Sequence, residues 1–263
     1  MLLLAFVPGI VLFLAVWKFD KVEKESPKLL LKLFVSGVLV MLLDILIRTA
    51  GLRALEGFYD GSSILLFKFI DIFLLAALIE EGGKFLVLRI LTWKNREFNY
   101  TFDALVYAVT VSVGFLTAEN ITYLIKYGSS LNPVRLLLPI LSQVLISVLM
   151  GYFFGMAKLS DSNGDAAGRK IGLLEAVIIP VMLHGLHELC VSTGETLFIV
   201  LFVIYVVVLI SFAMAVFIKM YKDNEEIEWR EADMDKEDPF EIDVTSLLHK
   251  DDAGKEAGDE GQV

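Results

Sequence analysis

Seven stretches of this chain, at about residues 2–17, 29–47, 70–91, 102–125, 134–157, 172–191 and 197–218, are almost wholly apolar. Each is close to the roughly 20 residues that a helix needs to cross the hydrocarbon core of a bilayer. In lipid every backbone polar group must be satisfied within its own segment, so spans of this kind are helices. A mean hydropathy of +0.68 and 56% hydrophobic residues rule out an ordinary soluble domain. The expected fold is therefore all-α and polytopic: a bundle of about seven transmembrane helices. The third span is the least regular, because Lys68 and Asp71 interrupt an apolar stretch that begins at Ile64. The first has no basic segment before Leu2 and does not read as a signal peptide.

The net charge of −10 belongs to one end of the chain. Residues 219–263 hold 6 Lys/Arg against 16 Asp/Glu, whereas residues 1–218 hold 17 of each sign. The division expected is a membrane domain over residues 1–222 and an acidic, disordered tail over 223–263. Lys18, Lys21, Lys24, Lys28 and Lys32 follow the first span, Lys94 and Arg96 the third, and Lys158, Arg169 and Lys170 the fifth. The alternate connections carry only Arg48, Arg53, Lys126 and Arg135. By the positive-inside rule the N-terminus lies outside and the tail in the cytoplasm. A single cysteine, Cys190, excludes an internal disulfide and a cysteine zinc cluster.

Against that apolar background a few polar residues stand out. Glu80 and Glu81 sit side by side in the third span, followed by Gly82, Gly83 and Lys84. A carboxylate at mid-bilayer depth costs on the order of 2.5–3.5 kcal/mol on insertion scales. Glu80 and Lys84 are i,i+4 neighbours with the acid first, the favourable order, and Glu81 is i,i+3 to the same lysine. Two adjacent carboxylates beside one cation are pushed toward different proton affinities, which suits a base and its partner. The fourth span carries Glu119–Asn120, and the sixth carries His184-Gly-Leu-His187-Glu188. A carboxylate one turn from a histidine can orient it as a general base. Pro180 is expected to loosen the backbone nearby. Asp44, Asp71 and Glu175 read as packing or span-end residues.

Depth counts bring the three groups into one layer. Glu119 lies eight residues before Tyr127 at the end of its span, roughly 12 Å below that boundary. His184 is at a similar distance from Thr193, and Glu80 about ten residues from Ile70. A shared polar cavity on the outer side is the simplest arrangement. Neither a His-Glu-x-x-His motif nor a nucleophilic serine constellation is present, so water activated by a carboxylate is the economical chemistry. No cofactor is required by this reading, and hydrolysis is expected to survive chelation. Zinc is the alternative, with His184, His187, Glu188 and Glu119 as available nitrogen and oxygen ligands.

Three ordered motifs, Glu80-Glu81-Gly-Gly-Lys84, Asp103-Ala-Leu-Val-Tyr107 leading to Gly114-Phe115-Leu-Thr-Ala-Glu119-Asn120, and His184-Gly-Leu-His187-Glu188, resemble those of PrsW-type intramembrane proteases. Their broader relatives are the CAAX-processing and bacteriocin-maturation membrane proteases. The resemblance covers about residues 75 to 190. It implies a glutamate-dependent peptide-bond hydrolase in a bacterial or archaeal cell membrane, acting on single-span or membrane-anchored proteins such as anti-sigma-factor-like regulators. On that likeness Glu80 or Glu81 activates water, Lys84 tunes them, and Glu119 and His184 complete the site. Two positions depart from the pattern. Ser142-Gln143-Val-Leu-Ile-Ser147 stands where the family usually has a histidine in a His-Ala-x-x-Thr-like stretch, and Glu188 stands where it has aspartate. Gln143 can donate to an oxyanion but cannot shuttle a proton, and His187 can take over that role. The competing classes are an ion- or proton-coupled transporter and a catalytically weak or inactive substrate-binding protein. A transporter predicts inverted repeats, and none is visible. The lipid bilayer is the expected surrounding, and no nucleic acid partner is expected.

Overall fold

The computed structural model describes residues 2–20, 22–58, 64–128, 133–193 and 196–229. Helix α1 is Leu2–Phe19 and α2 is Pro27–Phe58. A helical run follows in three parts: α3 at Ile64–Phe69, a π-helical segment at Ile70–Ala77, and α4 at Leu78–Thr92. Then come α5 (Asp103–Tyr127), α6 (Pro133–Ser162), α7 (Ala166–Thr193) and α8 (Thr196–Lys222). Among the described residues the one departure from helix and loop is an isolated antiparallel bridge between Tyr100 and Glu226.

The protein is an all-α, multi-pass membrane protein, but five helices, not seven, are long and apolar enough to cross a bilayer among the described residues. They cover residues 27–57, 103–127, 140–162, 166–192 and 200–222. The expected span at 70–91 is not among them. Its helix changes character at Leu78, leaving segments of 8 and 15 residues, and it carries Asp71, Glu80, Glu81, Lys84 and Arg89. For the expected span at 2–17, the side chains of residues 2–9 lie outside the described residues. So does the tail from Arg230 onward.

Local chemistry sets the helix limits. Ser26 caps α2, its Oγ accepting from the Leu29 N–H at 3.2 Å, and Pro27 occupies the first helical position, where a missing N–H costs nothing. Asp165 caps α7 by accepting from the N–H groups of Ala167 and Gly168. The turn before it passes through Gly164 at φ 77°, a left-handed conformation that glycine adopts without strain.

Helix α5 is the axis of the bundle. Every residue from Asp103 to Ala118 on it is buried, and α1, α2, α4 and α6 pack around it. It crosses α2 at Gly37 and Gly114, where a side chain would strike the main-chain oxygens of Val111 and Phe34. Small residues at such crossings let backbones approach closely, the usual means of tightening helix pairs in lipid.

The π-helical segment aims α4. Ile72, Ala76, Glu80, Lys84 and Leu88 are spaced by four and all buried. On a regular α-helix that spacing drifts about 40° per step. The wider turns over Ile70–Ala77 rotate the stripe the other way, so the apolar start and the charged middle face the same neighbours. Phe73, on this segment, packs onto Gly185 of α7 where a larger residue would collide with its ring. Pro180, expected to loosen the sixth span, lies inside an unbroken α7.

The first residues after α8 are docked rather than solvated. Asn224 Oδ1 accepts from the Phe102 N–H at 3.0 Å, and the Ile227 N–H donates to Asn99 O at 2.7 Å. Ile227 is buried and the Trp229 indole donates to Phe98 O.

Candidate active site

Three helices bring five polar side chains together inside the bundle. Helix α4 supplies Glu80, Glu81 and Lys84, α6 supplies Gln143, and α7 supplies His184. All five are buried, Glu81 completely. Lys84 is the hub. Its Nζ donates to Glu80 Oε1 at 2.7 Å, to Glu81 Oε1 at 3.1 Å and to Gln143 Oε1 at 2.8 Å, which uses all three ammonium protons. The ammonium also lies 4.4 Å from the centre of the Phe115 ring, a cation–π contact that partly replaces lost water.

Gln143 ties the glutamate pair to the histidine. Its Nε2 donates to Glu80 Oε1 at 2.7 Å and lies 3.4 Å from His184 Nδ1. Both ends of the amide are therefore engaged, and the free oxyanion donor expected at this position is a bridging group in the structure. Its backbone oxygen accepts from the Ser147 hydroxyl, which also pairs with Ser112 of α5.

His184 Nδ1 lies 2.9 Å from Glu81 Oε1. With an ionised carboxylate as acceptor, that nitrogen carries the proton, which leaves Nε2 as the basic nitrogen of the neutral ring. Nε2 faces Glu80 Oε2 at 3.7 Å. Glu81 Oε2 is buried and has no hydrogen-bond partner. A buried carboxylate oxygen with nothing to accept from is costly, and it points to a group that the cluster is built to hold.

The same atoms test the fit of a metal ion. Glu80, Glu81 and His184 each offer a ligand atom within 4.8 Å of the others. One nitrogen and two carboxylate ligands, with a further position open, suit a catalytic zinc ion. The fit is good. The sequence lacks a contiguous ligand motif because the donors come from two helices.

The remaining sequence-derived residues flank the cluster, Glu119 near enough to feel the charges of Glu80, Lys84 and His184. Glu119 lines a neighbouring cavity of about 280 Å³ between α2 and α5, together with Asp44, Arg48, Thr122, Tyr123 and Lys126. Asn120 is buried on the same helix. His187 points away from the cluster and packs edge-on against Phe202 and Tyr205, its Nδ1 buried without a partner. Glu188 is half-buried, and His184 takes Glu81 as its carboxylate instead. Sequence reasoning missed one contributor: Phe115 stands there only as part of the α5 motif, and nothing in its spacing marks the ammonium contact. Asp44, read as a packing or span-end residue, lines the neighbouring cavity.

The chain is similar to known proteases. The family model described as PrsW family intramembrane metalloprotease matches residues 25–215. Protease PrsW of Geobacillus kaustophilus is 34% identical over 181 residues, 69% of this chain and 75% of that protein. Protease PrsW of Bacillus subtilis is 32% identical over 181 residues, covering 69% and 78%. Protease PrsW of Clostridioides difficile is 28% identical over 211 residues, covering 79% and 85%. No solved structure matches the chain. With its matched span enclosing all three helices that build the cluster, the chain belongs to the PrsW family of intramembrane metalloproteases.

Proposed function

We propose that this protease hydrolyses a peptide bond of a membrane-anchored protein at the Glu80–Glu81–Lys84–Gln143–His184 cluster. The observation that carries the assignment is the unengaged Glu81 Oε2, buried beside a histidine whose Nε2 faces Glu80 Oε2 at 3.7 Å. Lys84 donates to both carboxylates and offsets their charge, and Gln143 fixes Glu80 against Lys84. Glu81 Oε2 takes a proton from water as the oxygen attacks the scissile carbonyl carbon. The C–O bond forms, the C–N bond breaks, and the proton passes to the departing amine. His184 Nδ1–H holds Glu81 through Oε1, which leaves Oε2 unengaged. Glu80, Glu81 and His184 are the residues that would hold zinc, which when bound supplies a Lewis acid and a water that ionises near neutral pH.

The substrate class is a single-span protein, such as an anti-sigma-factor-like regulator, that delivers its backbone to bilayer depth. An N-terminus outside and an acidic cytoplasmic tail beyond the docked segment suit the charge pattern. The bonds joining the 20–26, 93–102 and 223–229 connections support placing these on one side. The test is reconstitution in liposomes with a candidate single-span substrate and mapping of the products by mass spectrometry. Cleavage within the apolar segment is expected. Products cut only in the soluble domains would overturn the proposal.

A further inference from the structure

A second group of carboxylates lies at the end of the bundle where α1 leads into α2 and where α5 begins. Asp20, Glu25 and Asp103 are 3%, 6% and 1% exposed, and each places a carboxylate oxygen within 4.8 Å of the others. None of them is a residue of the α4–α6–α7 cluster, and the hydrolysis above makes no use of them.

Two of the three are partly satisfied. Asp103 Oδ2 accepts from the N–H groups of Tyr100 and Asn99 at 2.7 and 3.1 Å. Glu25 Oε2 accepts from the Tyr107 hydroxyl at 2.6 Å. Asp20 differs: both its carboxylate oxygens are buried without a hydrogen bond of normal geometry, with the Val22 N–H and the Lys24 charge close by. The nearby ammonium of Lys24 donates to the main-chain oxygens of Trp17 and Asp20 instead. Burial, and then the charge of Asp103, push the Glu25 carboxyl up to about 9, which shows how poorly these groups tolerate one another without a counter-charge. Proton sharing relieves Glu25 and Asp103 but leaves Asp20, with a carboxylate oxygen within 4.8 Å of theirs, unsatisfied. A cation answers all three at once.

We infer that Asp20, Glu25 and Asp103 form a binding site for a hard divalent cation, magnesium or calcium, that fastens the α1–α2 connection to the start of α5. The donors are all oxygen, which selects magnesium or calcium over zinc. The fastening matters because α5 is the axis of the bundle and carries Phe115 onto the Lys84 ammonium. The site is structural and separate from the zinc-type donor set, which contains a histidine.

The test uses the full-length chain in lipid nanodiscs, stripped of divalent ions and then held at one buffered zinc level so that the α4–α7 cluster is constant. Thermal unfolding is followed with millimolar MgCl2, with millimolar CaCl2 and with KCl at matched ionic strength. The wild type is expected to unfold several degrees higher with MgCl2 or CaCl2 than with KCl. Asp20→Asn is expected to lose that response and, in KCl, to unfold no lower than the wild type, since one buried charge has gone. A residue serving packing alone would instead lower the KCl value. No cation response in the wild type, meaning a cluster neutralised by protons only, overturns the proposal. An undiminished response in Asp20→Asn overturns it as well. If that variant does not fold, terbium luminescence excited through tryptophan decides in the wild type. A signal displaced by CaCl2 and lost in Glu25→Gln supports the site, and the absence of such a signal refutes it.

Discussion

His184 on α7 turns its Nδ1 to Glu81 on α4, 2.9 Å away, and not to Glu188 one turn along its own helix. The carboxylate and the histidine bonded to it thus come from different helices, and the cluster forms only when α4 and α7 are packed. Glu188→Gln is therefore expected to change cleavage by no more than a few-fold, whereas His184→Ala should reduce it on the order of 10²–10⁴-fold, the usual range for acid–base groups. Initial rates on a reconstituted substrate decide between these.

Gln143 bridges Lys84 and Glu80 and so acts through them. Gln143→Ala leaves a buried ammonium proton and a carboxylate oxygen each short of a partner. The expected cost is about 1–3 kcal/mol in stability and on the order of 10²-fold in rate from misplacement of the glutamate pair. Gln143→His, with one ring nitrogen to accept and one to donate, is expected to keep most of both. Unfolding temperature and cleavage rate, measured on the same preparations, check the pair.

Among the described residues Lys84 is the one lysine in contact with the two glutamates. Lys84→Met strands them in the interior, and breaking a buried pair in this way costs about 3–5 kcal/mol. Glu81→Gln in the Lys84→Met background should restore part of that loss, because it removes one of the uncompensated charges. A double-mutant cycle on unfolding temperature measures the coupling.

The charged half of this site was legible in the sequence for an energetic reason. Glu80, Glu81 and Lys84 interrupt an apolar run where each charge is expensive, and their i,i+3 and i,i+4 spacing guarantees contact on one helix. Helical rise alone also put His184 at a matching depth. Spacing along one helix does not select partners between helices, so Glu188 looked like the partner of His184 and His187 like a member of the site. The π-helical segment left no sequence signal, and it is what divides the expected third span. Asp20, Glu25 and Asp103 sit at span ends, where acidic residues usually face water, and only the fold reveals that they meet.

The tail carries a boundary that composition misplaced. Asn224, Ile227 and Trp229 belong to the bundle through the 98–102 loop, so the acidic extension begins after them. Ending the chain after Trp229 is expected to leave thermal stability unchanged. Ending it after Asp223 should cost about 2–4 kcal/mol, the burial of Ile227 and most of Trp229. Detergent-solubilised unfolding curves of the two truncations give the answer.

The donor set Glu80, Glu81 and His184 also reverses the expectation that hydrolysis withstands chelation. A zinc-selective chelator should abolish cleavage, and added zinc but not calcium should restore it. Full activity after exhaustive removal of metal would assign the work to the carboxylates alone.

The most direct measurement of the central claim is cleavage of a single-span substrate in proteoliposomes by wild type, Glu80→Gln and Glu81→Gln. Each variant's unfolding temperature is recorded beside its rate. The account predicts that Glu81→Gln, folded and still packed through Lys84 and His184, loses cleavage by at least about 10²-fold, and that Glu80→Gln falls with it. Cleavage at the wild-type rate by folded Glu81→Gln would contradict the account.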